Sequence, residues 1–165
     1  MGISKQSIED LKTKSKISDF ILSSTTGKIR GNKGMALCPF HGEKTASMSF
    51  TDEEKLENDE MRTVFRFKFE LAPIQIGILP LSKKDDLIEV SNAINKLLKN
   101  DYRTEVDITQ SIGKRYRRQD EIGTPYCITV DFESLEDNSV TIRNRDTMKQ
   151  ERIKIDKLSE YFEKL

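Results

Sequence analysis

Hydrophobic positions change their period several times along the chain, and each change marks an element. Ile8, Leu11, Ile17, Phe20 and Ile21 recur at roughly helical steps, which predicts an amphipathic helix over residues 7–22. Ser7 is placed as its N-cap, with Asp10 three residues on in a variant of the capping box. Gly27, Gly31 and Gly34 then punctuate extended pieces at 28–30 and 35–37, a pattern that predicts a small hairpin. From residue 64 to 69 the period drops to two, as in a strand. Residues 74–81, IQIGILPL, form a near-continuous apolar run, the pattern of a strand buried on both faces of a parallel or mixed sheet. Residues 85–99 return to helical spacing, with Leu87, Ile88, Ala93, Ile94, Leu97 and Leu98 on one face. Residues 102–108 alternate as a strand, and 111–122 are helical but strongly charged, with Gly123 placed to end them. Strands follow at 126–132 and 139–143, joined through Asp137 and Asn138, and Ile153 and Ile155 mark another. The last helix, 156–165, turns Leu158, Tyr161, Phe162 and Leu165 inward. This order predicts an α/β fold with a mixed sheet.

Between these halves, residues 51–61 are polar and acidic and read as a linker. The expected division is therefore a module at 1–52, a linker at 53–63 and a domain at 64–165. Composition sets few limits: 35% of residues are hydrophobic, 34% are charged, and 28 cations balance 28 anions. A nucleic-acid partner therefore has to be argued from local charge and not from overall basicity. The two cysteines, Cys38 and Cys127, suggest no disulfide framework. No apolar run is long enough for a bilayer span and the start lacks a secretory core, so no membrane partner is expected. The expected location is the cytoplasm, with an organelle matrix as the alternative.

The densest chemistry lies between residues 111 and 150. Lys114, Arg115, Arg117 and Arg118 stand directly ahead of Asp120 and Glu121, and Arg143 and Arg145 follow a later strand. The edge of an unpaired base offers hydrogen-bond donors and acceptors, which suits a carboxylate and a guanidinium held close together. Unpaired RNA bases are recognised when splayed onto such groups. Arg115, Asp120 and Glu121 are candidates for base edges, Arg143, Arg145 and Arg118 for base or phosphate, and Tyr116 for stacking. The competing reading makes Arg115–Glu121 and Arg145–Asp146 internal ion pairs, with Arg117 and Arg118 on a solvated face. Gly113 and Gly123 read as backbone-geometry positions, and Cys127, in the apolar run YCITV, as a small buried hydrophobe.

LAPIQIGILPLSKK (71–84), SIGKRYRRQDEIGTPYCITVDF (111–132) and LEDNSVTIRNRDTMKQ (135–150) resemble, in order and without an obvious gap, the C-terminal anticodon-binding domain of class II glycyl-tRNA synthetase. The resemblance covers about residues 70–165. It implies a mixed-sheet anticodon-binding-type fold and a partner that is tRNA or another structured RNA. Glycine anticodons carry cytosine at their second and third positions.

IEDLKTKSKISDFI (8–21) and CPFHGEKTASMSF (38–50) resemble the zinc-binding domain of bacterial DNA primase. That family closes its site with a second Cys-x-x-Cys about twenty residues later, where this chain has KLENDEMRTVFRF. Structural zinc takes four protein ligands. Cys38 and His41 supply two, with Glu43 or Asp52 as weak completions, so the expectation is a degenerate zinc-ribbon-like helix-plus-hairpin module and no cofactor. Two further readings of function stand beside RNA binding. One is a replication or organelle accessory role, with DNA or a replication protein as partner, since a polymerase accessory subunit of this synthetase-like type exists. The other is a protein adaptor. Neither synthetase nor primase catalysis is expected from these residues.

Overall fold

The computed structural model describes residues 16–38, 42, 44–55 and 61–165. The chain divides into two compact units, Met1–Arg66 and Phe67–Leu165.

In the first unit, helix α1 (Ile17–Ser24) precedes an antiparallel sheet of β1 (Gly27–Arg30), β2 (Lys33–Ala36), β3 (Met48–Lys55) and β4 (Met61–Arg66), ordered β1-β2-β3-β4. The predicted hairpin is β1–β2, and Gly31 takes the left-handed φ of +64° that its turn requires. Ile21, Ala36, Cys38, Met48 and Phe50 are buried. A β-carbon on Gly34 would fall 2.2 Å from the Phe50 ring, so the glycine lets that ring lie against β2. Asp52 reaches from β3 to the start of α1, where its carboxylate accepts from the Ser18 amide and hydroxyl, both at 2.7 Å. An anion at a helix N-terminus satisfies orphan donors and opposes the macrodipole.

Three expectations change here. The part of the predicted helix before residue 16, with Ser7, lies outside the described residues. Phe20, expected on the buried stripe, is 72% exposed, whereas its neighbour Ile21 is buried. The acidic linker is a strand through residue 55. The strand expected to open the C-terminal domain is β4, which pairs Thr51 with Val64 and Phe50 with Phe65. An antiparallel pair with one solvated face tolerates acidic residues along its length, so polarity alone did not mark a connection.

In the second unit, a 3₁₀ turn (Phe69–Leu71) leads to a five-stranded sheet ordered β6-β5-β7-β8-β9. Its strands are β5 (Ile76–Pro80), β6 (Thr104–Val106), β7 (Tyr126–Val130), β8 (Ser139–Asn144) and β9 (Gln150–Lys154). Strand β5 runs parallel to both β6 and β7, and the β7–β8–β9 pairings are antiparallel, so the sheet is mixed as expected. All five residues of β5 are buried, which is why it reads as an unbroken apolar run. The helices are α2 (Asp85–Leu98), α3 (Ile112–Ile122), the one-turn α4 (Ser134–Asp137) and α5 (Leu158–Phe162). Leu87, Ile94 and Leu98 of α2 join Ile76, Ile78, Ile128, Val130, Val140, Ile142, Leu158 and Phe162 in one core on one side of the sheet. Leu165, expected inward, is 55% exposed because α5 ends at Phe162. Helix α3 lies against the other side: Gln119 packs on Gly77, where an added β-carbon would sit 3.0 Å from its Oε1. Gly123 ends α3 in the left-handed conformation at φ +84°. No helix among the described residues is long and apolar enough to cross a membrane.

Candidate nucleic-acid interface

Alternation along β7, β8 and β9 sends apolar residues to the core and leaves a polar opposite face. Register aligns Cys127, Arg143 and Gln150 in one row and Thr129, Thr141 and Arg152 in the next. Helix α3 covers the Cys127 and Thr129 end of these rows. Gln150 is exposed and Thr141 half-buried, so the β8–β9 end stays accessible beside the helix.

The charged residues of 111–150 separate into three groups on this frame. Arg115 is 2% exposed and spends its guanidinium on backbone carbonyls. It donates to Pro80, to Thr109 at 3.2 Å, to Ile108 at 3.0 Å and to Gln110 at 2.8 Å. It therefore ties together the chain ends leaving β5 and β6, and it is not placed to read a base. Its expected pairing with Glu121 is also absent from the described contacts: Glu121 is exposed and meets Arg117 at 3.2 Å. Arg118 turns toward the β6 side, where it donates to Asp107 and to the Thr109 hydroxyl at 2.6 Å. Burial pushes the Asp107 carboxyl up, but the Thr109 hydroxyl and amide and the Arg118 guanidinium outweigh it and hold the group below its ordinary value.

The second group gathers three of the candidate residues. Tyr116, Asp120 and Arg143 meet under α3, where Arg143 Nη2 donates to Asp120 at 2.5 Å and both side chains are buried. The Arg143 guanidinium stacks on the Tyr116 ring at 4.2 Å, a cation–π contact. Tyr116 shares a short hydrogen bond with the Thr129 hydroxyl, and burial raises its phenol despite that bond. Arg143 Nη1 points to the Met148 sulfur at 3.3 Å, and its Nε is buried with no hydrogen-bond partner among the described residues. Cys127 lies beneath the same helix, and burial pushes its thiol up to about 12 although Arg143 pulls it down.

The third group is Arg145, 3% exposed, which donates to the carbonyls of Gly123 at 2.7 Å and Phe67 at 3.1 Å and pairs with Asp146. Its role is to hold the end of α3. The internal ion pair with Asp146 is present, and Arg145 as a base reader is corrected by this burial. One cation of this face escaped the sequence reading. Arg152 on β9 reaches over the polar face to Asp131 at 3.0 Å and Asp137 at 2.9 Å. Its signal was the alternation QERIK against the SVTIRN strand, but it becomes legible only once the hairpin register is known. At the end of β7, the ring of Phe132 is 43% exposed with the Lys84 ammonium 4.8 Å above it.

Among the described residues, the first unit assembles no zinc site. The chain holds two cysteines and one histidine, and Cys127 belongs to the second unit under α3. Cys38 is 3% exposed in the core of the small sheet, and His41 and Glu43 lie outside the described residues. Asp52 is engaged at the start of α1. Among the described residues, no group of three or more potential ligands converges on a metal position.

Known proteins match both units. The family model described as the CHC2 zinc finger matches residues 3–57. Glycine–tRNA ligase of Ruminiclostridium cellulolyticum is 61% identical over 112 residues, covering 68% of this chain and 24% of that protein. Glycine–tRNA ligase of Treponema denticola is 42% identical over 152 residues, covering 92% of this chain and 32% of that protein. The chain thus spans between about a quarter and a third of the curated relatives it matches. A prolyl-tRNA synthetase structure from Cryptosporidium parvum shares the fold at a TM-score of 0.59 and 17% identity, covering 90% of this chain and 41% of that one. The model of the anticodon binding domain matches residues 75–165, more than half of the chain, and with the mixed sheet and its α3-covered polar face this places the chain in the anticodon-binding-domain family.

Proposed function

We propose that the second unit binds tRNA through the anticodon, of glycine type, on the polar face beside α3. In this reading the chain by itself contributes binding and no aminoacylation. The accessible side chains Thr141, Gln150 and Arg152 on β8–β9 form the reading surface, and Arg143, buried and pinned by Asp120 and Tyr116, braces the strand beneath them. The observation that carries the reading is the accessible polar end of the β8–β9 pair, inside a stretch matched by the anticodon-binding family. The match to glycine–tRNA ligases supports the glycine assignment.

The test is the affinity of the chain for an unmodified glycine tRNA and for the same tRNA with its anticodon replaced. Loss of matched contacts should weaken binding by about 1–3 kcal/mol per base, or roughly 5- to 150-fold. Gln150→Ala combined with Arg152→Ala should erase most of that difference, with urea unfolding to confirm the fold. Equal affinity for both tRNAs would sink the reading. Equal affinity for tRNA and single-stranded DNA would favour a sequence-blind accessory role.

A further inference from the structure

The sheet of the first unit has a face that neither α1 nor its core occupies. Register places Lys28, Met35, Ser49 and Arg66 in one row across β1–β4, and Arg30, Lys33 and Thr51 in the next. These residues line a shallow groove of about 510 Å³. Four of them are cations and none is acidic, in a chain whose 28 cations and 28 anions balance overall. Lys28, Arg30 and Lys33 are exposed, and their side chains take part in no hydrogen bond or ion pair among the described residues. The contrast with Arg115, Arg118, Arg143, Arg145 and Arg152, each bonded to the protein's own oxygens, is complete for these three.

We propose that this face is a second RNA contact, one that grips phosphates. Residues two apart on a strand stand about 7 Å from each other, so Lys28 and Arg30 on β1 have a spacing suited to successive phosphates, and Lys33 stands opposite Arg30 on β2. Sequence-blind binders of single strands stack bases on exposed aromatics. Here the one aromatic in the lining, Phe50, is 1% exposed beneath Gly34, and the accessible apolar side chain is Met35. The face therefore offers charge without stacking, which fits a backbone and not splayed bases. RNA is the favoured polyanion because the same chain carries the anticodon-family unit. The proposal rests on the RNA-binding reading above, and joining two contacts in one chain raises affinity through effective concentration.

The experiment uses the full chain with Lys28→Gln, Arg30→Gln and Lys33→Gln combined. A control neutralises Lys96, Lys99 and Lys157, three exposed cations of the second unit. Binding of glycine tRNA, of its anticodon-swapped form and of single-stranded DNA is measured from low to high salt, with thermal melting to confirm folding. Each lost phosphate contact should lower the slope of log K against log salt by about 0.7, so the triple variant should lose about 2 from its slope. That is about 100-fold in affinity at 0.1 M salt, converging toward the parent near 1 M. Both tRNAs should weaken alike, so their ratio should survive. An unchanged slope, or an equal loss in the control, overturns the proposal. So does a loss confined to single-stranded DNA, which would give the face to that ligand. If the two tRNAs never differ but the triple variant still weakens both, the anticodon reading fails and the phosphate contact stands.

Discussion

The arginines under α3 and the cations on the first unit's sheet are chemically alike and structurally opposite. Arg115, Arg143 and Arg145 are each under 5% exposed, and each spends donors on carbonyls or a carboxylate. Lys28, Arg30 and Lys33 stand in solvent with no such partners among the described residues. The first set fixes where α3 sits on the sheet, and the second shapes only the surface potential. A run of positive charge in a sequence therefore does not say whether it will brace a fold or meet a ligand. What decides is the side of the element it falls on.

The sharpest way to break this contrast is to remove one partner of the buried pair. Asp120→Ala leaves the Arg143 guanidinium uncompensated and should destabilise the chain by about 3–5 kcal/mol, read by urea unfolding. Arg115→Lys keeps the charge but not the fork across four carbonyls, and should cost about 2 kcal/mol in the same assay. A milder probe is acid. Asp107 is held below its unfolded value of 3.8, so its contribution is present above that value and is lost as pH falls through the lower folded one. The melting temperature should fall as pH drops below about 4, and Asp107→Asn should flatten that part of the profile. At the far end, Arg117→Ala and Lys33→Ala should each change stability by no more than about 0.5 kcal/mol. A large loss at Lys33 would show that the sheet cations brace the fold after all.

Much of the second unit was legible because its burial is simple. The run around Ile76–Pro80 is apolar because β5 is covered on both faces, and Gly123 ends α3 where a left-handed residue is needed. The resemblance to the anticodon-binding domain added the topology that periodicity alone leaves open. Within the site, Tyr116, Asp120 and Arg143 were each legible as candidates, but the burial of Arg115 and Arg145 was not. Their partners are carbonyls of Pro80, Ile108, Gly123 and Phe67, and a sequence does not advertise which carbonyls lack a donor. Arg152 was missed for a related reason, since its face depends on the β8–β9 register. In the first unit, β3 and β4 were misread because Asp52 and its acidic neighbours look like a connection until Asp52 is seen holding the Ser18 end of α1.

Cys127 gives the second unit an internal stopwatch. Its sulfur is shut under α3 and stays protonated up to about pH 12, so an alkylating reagent has neither access nor a thiolate while the helix is seated. The rate at which that one sulfur is modified, separated from Cys38 by peptide mapping, therefore clocks how often α3 lifts from the strands. Adding RNA should slow the clock wherever the bound strand leans on that helix.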